Sequence, residues 1–324
     1  MTRAVSMQAS AAHRTQDTGL DVVTGAFSYS GSSLARALLQ SGRQVRTLTG
    51  HPDRAPAGTA IDVRPLDFDD QLGLVASLSG ATTLYNTYWV RFARRTVDHE
   101  QAVANSRALF HAATRAGVQR IVHVSITHPS SDSPLPYFRG KAMVERALAE
   151  CDLSYAIVRP AILFGGDGVL LNNIAWLLRR LPVFAIGGRG DYRIRGIHVD
   201  DLAHLCLAKA VETHDSVTDA VGPERPTFTE LVGAIRDAVG SRARLLHVPG
   251  ATVPVLARML GLALHDVLLT ADEYRAMAAG LADTDGPATG PTALSGWLAQ
   301  HGEGLGLHYA NELGRHFDIV APPA

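Results

Sequence analysis

Lysine is nearly absent from this chain: of 30 basic residues only Lys141 and Lys209 are lysines. Cysteine is scarce as well. Cys151 and Cys206 stand far apart in no metal-ligand spacing, which excludes a disulfide scaffold and points to reduced thiols near a core. No apolar run reaches membrane-spanning length. The nearest, 169–186, is broken by Arg179, Arg180 and Pro182, so no integral membrane segment is expected. Neither charge sign is in excess: the formal net charge is −1, without a basic stripe or tail, which argues against a nucleic-acid partner. The 14 histidines form no His-x-x-x-His pair and no Cys/His cluster, so no metal is expected. Ser125 lies in Val124-Ser125-Ile126. That is not a nucleophile elbow, and a hydrolase is disfavoured.

What is present suits a globular α/β protein. The 324 residues are 46% hydrophobic and 19% charged, enough for one full domain and a smaller lobe. Residues 1–19 are polar and alanine-rich, with no apolar h-region. They read as a disordered leader rather than a secretory signal, and a cytoplasmic location is expected. Apolar β-type runs at 20–24, 44–49, 60–65, 82–87, 120–126 and 153–159 alternate with helical spacing at 32–40, 72–78, 97–117 and 137–150. Such alternation predicts an α/β fold, a doubly wound parallel sheet covered on both faces. The rhythm changes after Pro160. The expected division is a leader over 1–19, a Rossmann-type nucleotide-binding core over 20–165, and a small C-terminal α/β substrate lobe with helices over 166–324, interwoven with the core. Surface helices are expected at 274–290 and 297–317.

Between the first strand and first helix stands Gly25-Ala26-Phe27-Ser28-Tyr29-Ser30-Gly31. Strand, glycine turn and helix form the setting in which backbone N–H groups and the helix dipole hold a phosphate. Gly25 and Gly31 have the spacing of the first and third glycines of such a turn. Ser28 replaces the middle glycine, and its hydroxyl is expected to face the pyrophosphate. After the second strand the chain reads Thr49-Gly50-His51-Pro52-Asp53-Arg54. No acid stands at the strand end to take a ribose 2′-hydroxyl, and Arg54 follows, so NADP(H) is favoured over NAD(H).

The rare Lys141 falls four residues after Tyr137, one helical turn on. A lysine kept where arginine is otherwise preferred suggests that a compact point charge is needed. An ammonium beside a phenol is expected to lower its pKa and make it a usable acid or base. The substrate-facing set is expected to include Tyr88, Trp89, Phe164, Asn172, Asn173, Trp176, Tyr192 and His198, which follow strand ends. For Trp176, packing in a helical apolar stripe competes with that role, and Asn172 and Asn173 could cap their helix. His123 reads as a satisfied buried histidine.

With Gly25 and Gly31, Asp67-Phe68, Ser125-Ile126-Thr127, Tyr137 with Lys141, and Arg159-Pro160 in this order, residues 21–221 resemble a short-chain dehydrogenase/reductase. They are most similar to the atypical and extended branches, which include NmrA-like proteins and accessory subunits of respiratory complex I. The resemblance implies that Tyr137 is the acid/base and that Lys141 holds the nicotinamide ribose. Thr127, or else Ser125, would orient the substrate oxygen. Asp67 and Phe68 would meet the adenine, Asn86 and Thr87 would close over the cofactor, and Pro160 would border the nicotinamide. Asp200 would cap the helix after the lobe. The implied activity is NAD(P)-dependent hydride transfer on a small-molecule carbonyl or alcohol, in a monomer or homodimer. A non-catalytic NAD(P) sensor or accessory subunit is the alternative, with an epimerase or dehydratase holding NAD tightly as a further one. Ser28 and the short spacing from Thr127 to Tyr137 favour the non-catalytic branch.

Overall fold

The computed structural model describes residues 19–92 and 98–311. The expected leader, but for Gly19, and the end of the expected helix at 297–317 lie outside them. The apolar runs form β1 (Leu20–Thr24), β2 (Gln44–Thr49), β3 (Asp62–Pro65), β4 (Ala81–Asn86), β5 (Arg120–Val124) and β6 (Ser154–Pro160). Between them run α1 (Tyr29–Gln40), α2 (Gln71–Leu78), α3 (His99–Ala116) and α4 (Pro136–Ala149). The chain continues through β7 (Ile162–Phe164), α5 (Val169–Arg180), β8 (Val183–Gly187), β9 (Gly196–His198), α6 (Val199–Ala210) and β10 (Ser216–Ala220). It closes with α7 (Phe228–Ala238), β11 (Arg244–Val248), α8 (Val253–Leu264), α9 (Ala271–Ala278) and α10 (Leu294–His301).

The main sheet has seven strands in the order β10-β6-β5-β4-β1-β2-β3, every neighbouring pair parallel. This is a Rossmann-type doubly wound sheet. Period-2 alternation sends neighbouring apolar residues to opposite faces. Val23 packs with α1 and α6, while Val22 packs with α2, α3 and α4. Both valines are fully buried, a contribution of about 1.5–3 kcal/mol each. Strand order reverses between β1 and β4, and there the sheet leaves a crevice at its C-terminal edge.

The chain leaves the sheet after β6 and returns to it with β10, the edge strand beside β6. What lies between and beyond forms a second core around Phe164, Leu171, Ile174, Leu178, Ile186, Leu231, Ile235 and Trp297. The C-terminal helices differ from expectation. Helix α9 stops at Ala278 because Gly280 turns at φ +80°, and no helix follows until α10. Nor is α10 a surface helix: Leu294, Trp297 and Leu298 bury themselves in the second core. Asp200 does not cap α6. His198 does, its Nδ1 accepting from the Asp200 N–H at 3.2 Å. The Asp200 carboxylate instead accepts from Ser33 and pairs with Arg36, both on α1, and these bonds hold its pKa below the ordinary carboxylate value against the opposing effect of burial.

Candidate functional site

Gly25 adopts φ +67°, a conformation glycine reaches without strain. A side chain on Gly31 would overlap the Gly25 carbonyl oxygen, so α1 can approach β1 this closely only with glycine there. Ser28 is the N-cap of α1: its hydroxyl accepts from the Gly31 N–H at 3.4 Å, an occupation the sequence reading did not foresee. Tyr29 reaches across to donate to the Gly165 carbonyl at 2.7 Å, tying the turn to the loop before α5. The first turn of α1 opens into a crevice of about 2160 Å³.

That crevice runs over the ends of β1, β2 and β4. Its wall includes Gly25, Phe27, Ser28 and Tyr29, then His51, Arg54, Leu66 and Phe68, then Thr87, Tyr88, Trp89 and Tyr137. Thr87 is fixed by donating to the Thr24 carbonyl at 2.5 Å. Tyr88 lies against Phe68 with centroids 4.8 Å apart, and its hydroxyl accepts from Asn105 at 2.8 Å. Arg91 and Glu273 pair at 2.7 Å and also line the crevice, bridging the core to α9.

Tyr137 stands half-buried in this wall. Trp89 and His99 each meet its ring edge-on at 5.8 Å. Burial pushes the phenol up to about 12, with the nearby Arg91 charge acting against it and Glu273 adding to it. The expected lowering by Lys141 is absent, because Lys141 turns elsewhere. Its ammonium donates to the Val124 carbonyl at 2.9 Å and lies 4.8 Å from the Trp89 ring centroid. Lys141 is 3% exposed, and burial lowers it from 10.5 to about 7, partly offset by Glu145. Gly140 makes room for this arrangement: a Cβ there would come 2.8 Å from the Trp89 ring.

Several expected site residues are committed elsewhere. Thr127 is fully buried and donates to the Leu281 carbonyl at 2.8 Å, so its hydroxyl is taken up in joining the lobe to the core. Ser125 differs: its Oγ is buried and has no hydrogen bond among the described residues. Asp67 is exposed and accepts from the Asp69 N–H at 2.9 Å, leaving Phe68 to face the crevice. Asn86 is fully buried and joins Thr24, at 3.2 Å, to His123, at 3.0 Å. His123 is only half satisfied: Nδ1 meets Asn86, and Nε2 has no partner among the described residues. Burial, then the Lys141 charge, drives its pKa far down, so the imidazole is neutral. Pro160 is buried in β6, its carbonyl accepting from the Thr127 N–H at 3.1 Å.

Of the substrate-facing set, Tyr88 and Trp89 line the crevice and the others do not. Phe164 packs against His198 and Trp297 at 5.4 and 5.7 Å in the second core. Asn173 bonds both the N–H and the carbonyl of Ala310, and Asn172 holds Gly306 and His308. The two asparagines thus clamp the C-terminal segment along α5. Trp176 meets Tyr309 and Arg180. Tyr192 stacks on Phe228. The sequence reading overlooked Arg91, His99 and Glu273. The only local signals were an N-cap Asp98 before His99 and the capping box of Thr270 with Glu273.

The comparisons agree with this geometry. Residues 25–173 match the NAD(P)H-binding family model. A mitochondrial NADH dehydrogenase [ubiquinone] 1 alpha subcomplex subunit 9 from Dictyostelium discoideum is 28% identical over 72% of this chain and 67% of its own length. A 3 beta-hydroxysteroid dehydrogenase/Delta 5-->4-isomerase from Mycobacterium tuberculosis is 25% identical, with 74% of each chain covered. An uncharacterised Mycobacterium tuberculosis protein is 27% identical over 66% of this chain, which spans only 23% of it. Among solved structures, the Escherichia coli NADPH-dependent quinone oxidoreductase QOR2 with NADPH superposes with a TM-score of 0.71, at 23% identity over 88% of this chain and 99% of the other. MoeE5 with UDP-glucose and NAD does so at 0.65, with 20% identity over 88% and 98%. Among the described residues no helix is long and apolar enough to cross a membrane. Glycine turn, switch-point crevice and family match agree on an NAD(P)H-binding domain over residues 25–173.

Proposed function

We propose that the chain is an NAD(P)-dependent oxidoreductase acting on a small-molecule carbonyl or alcohol, with Tyr137 as its acid/base. The observation that carries this reading is one continuous crevice joining the glycine turn to the Tyr137 phenol. The nicotinamide, when bound, supplies or accepts the hydride. The residues present suit such a group. The turn at Gly25 and the first N–H groups of α1 would hold the pyrophosphate. Leu66 and Phe68 offer an apolar wall for the adenine. Arg54 and His51, with no carboxylate at the end of β2, suit a 2′-phosphate, so NADP(H) is the proposed cofactor. Tyr137, held protonated by burial, suits proton donation to a substrate oxygen during reduction, with Arg91 the nearby cation that would ease the phenolate. For Lys141 to reach a ribose, Trp89 would have to leave its place over the ammonium.

General acid catalysis contributes about 10²–10⁴-fold. Tyr137→Phe is therefore expected to lose at least 100-fold in turnover while binding NADPH nearly as the parent does. Wild-type turnover in that variant would remove Tyr137 from the chemistry. Nicotinamide fluorescence titration is expected to show NADPH binding tighter than NADH, with Arg54→Ala erasing the difference.

A second reading is an NAD(P)-binding accessory protein without turnover. It is favoured by Lys141 lying beneath Trp89 and by the use of the Thr127 hydroxyl as a structural tie. NADPH binding without reduction across a broad carbonyl screen would support it. NAD retained through purification would point to an epimerase or dehydratase.

A further inference from the structure

Helix α8 carries an apolar surface left exposed in the structure. Val255, Leu256, Met259 and Leu262 are 58%, 47%, 66% and 71% exposed. At ~3.6 residues per turn they share one arc of about 120°, and exposed Arg258 flanks it. Leu246, on the preceding strand β11, is exposed as well. Large apolar side chains on one helix face are normally buried against a partner.

The charges along this stretch of the chain indicate which partner. Residues 238–265 contain no aspartate or glutamate, yet they hold Arg242, Arg244 and Arg258, all exposed. The chain as a whole is nearly neutral, at −1, so this is a local asymmetry. An apolar helix face beside unbalanced arginines is the pattern that seats in an anionic bilayer surface: side chains enter the acyl boundary and guanidinium groups meet phosphates. A second copy fits less well, since two such faces would oppose arginine to arginine. We infer that α8 docks this protein onto anionic membranes.

The docking helix leads directly into the wall of the crevice. From α8 the chain passes through Leu269 and Thr270 into α9, where Glu273, Ala276 and Met277 line the crevice wall. A seated α8 brings that wall close to the lipid surface. If the proposed oxidoreductase function holds, the substrate is then an amphiphile drawn from the bilayer. Docking itself does not depend on that function.

Sedimentation of the full chain with vesicles tests the inference. The expected result is at least about tenfold stronger binding to phosphatidylcholine vesicles containing a third phosphatidylglycerol than to phosphatidylcholine alone, declining as salt is raised. Met259→Asp/Leu262→Asp is expected to abolish binding, and Arg258→Gln to weaken it about fivefold. NADPH titration of the same variants checks that the fold is intact, because α8 itself does not line the crevice. Absence of binding to every vesicle would overturn the inference, as would equal binding by parent and double variant. A concentration-dependent dimer that the double variant dissolves would overturn it in favour of a second copy. Vesicle binding without NADPH binding would leave docking standing and remove the oxidoreductase reading.

Discussion

Replacing Lys141 by methionine separates the electrostatic cost of this lysine from its packing. The methionine keeps the stem against Trp89 and removes the charge, a change of shape that cores tolerate well. In the parent the ammonium is 3% exposed, with one carbonyl acceptor and the Trp89 ring face. Its neighbour Glu145 is already paired with Arg159. The result is a fall from 10.5 to about 7. At about 1.4 kcal/mol per unit this amounts to about 5 kcal/mol of destabilisation while the lysine is charged in both states. The sign follows from proton counts. Between pH 7 and 10.5 the unfolded chain carries the proton and the folded one does not, so folded stability rises with pH across that window. Below pH 7 the full cost is present, and above 10.5 it is gone. Urea unfolding of parent and variant at pH 7 and pH 9 is the assay. Groups common to both proteins cancel in the difference. The parent is expected to gain about 2 kcal/mol on the variant between those pH values. A stability gap unchanged from pH 7 to 9 would refute the reasoning and mean that the ammonium finds partners or solvent.

Gly31→Ala is expected to abolish NADPH binding in a fluorescence titration, because the new methyl group meets the Gly25 carbonyl and drives α1 off β1; parental affinity would contradict this. Arg43→Ala is expected to cost about 3–5 kcal/mol in chemical denaturation. It strands the Asp21 carboxylate, which is 1% exposed and bound by Arg43 at 2.7 and 2.9 Å. Gly140→Ala is expected to push Trp89 from its seat, seen as a red shift of tryptophan emission, since Gly140 leaves no space for a Cβ. An unshifted spectrum would show that α4 yields instead.

The strands were legible because buried parallel strands are continuous apolar runs. Residues 20–24 and 44–49 match β1 and β2 to the residue, and each lies between a helix or turn and a glycine. The glycine turn was legible because its geometry is local: a positive φ at Gly25 and a close approach at Gly31 depend on a few neighbouring atoms. Tyr137 was found through the scarcity of lysine, although the electrostatic coupling that drew attention to it is missing from the structure. Two side chains one turn apart share a helix face, but burial decides which way each turns.

Residue type and spacing thus determined the alternation of strand and helix and the glycine turn, since both follow from backbone sterics and hydrophobic period alone. Which polar groups remain free was decided only by the tertiary structure. Thr127 lost its hydroxyl to Leu281, 154 residues away, and Asp200 lost its carboxylate to Arg36, 164 residues away. Arg91 found Glu273 across 182 residues. A buried polar group takes whichever partner the packed chain brings within about 3 Å, and a linear sequence carries no record of that distance.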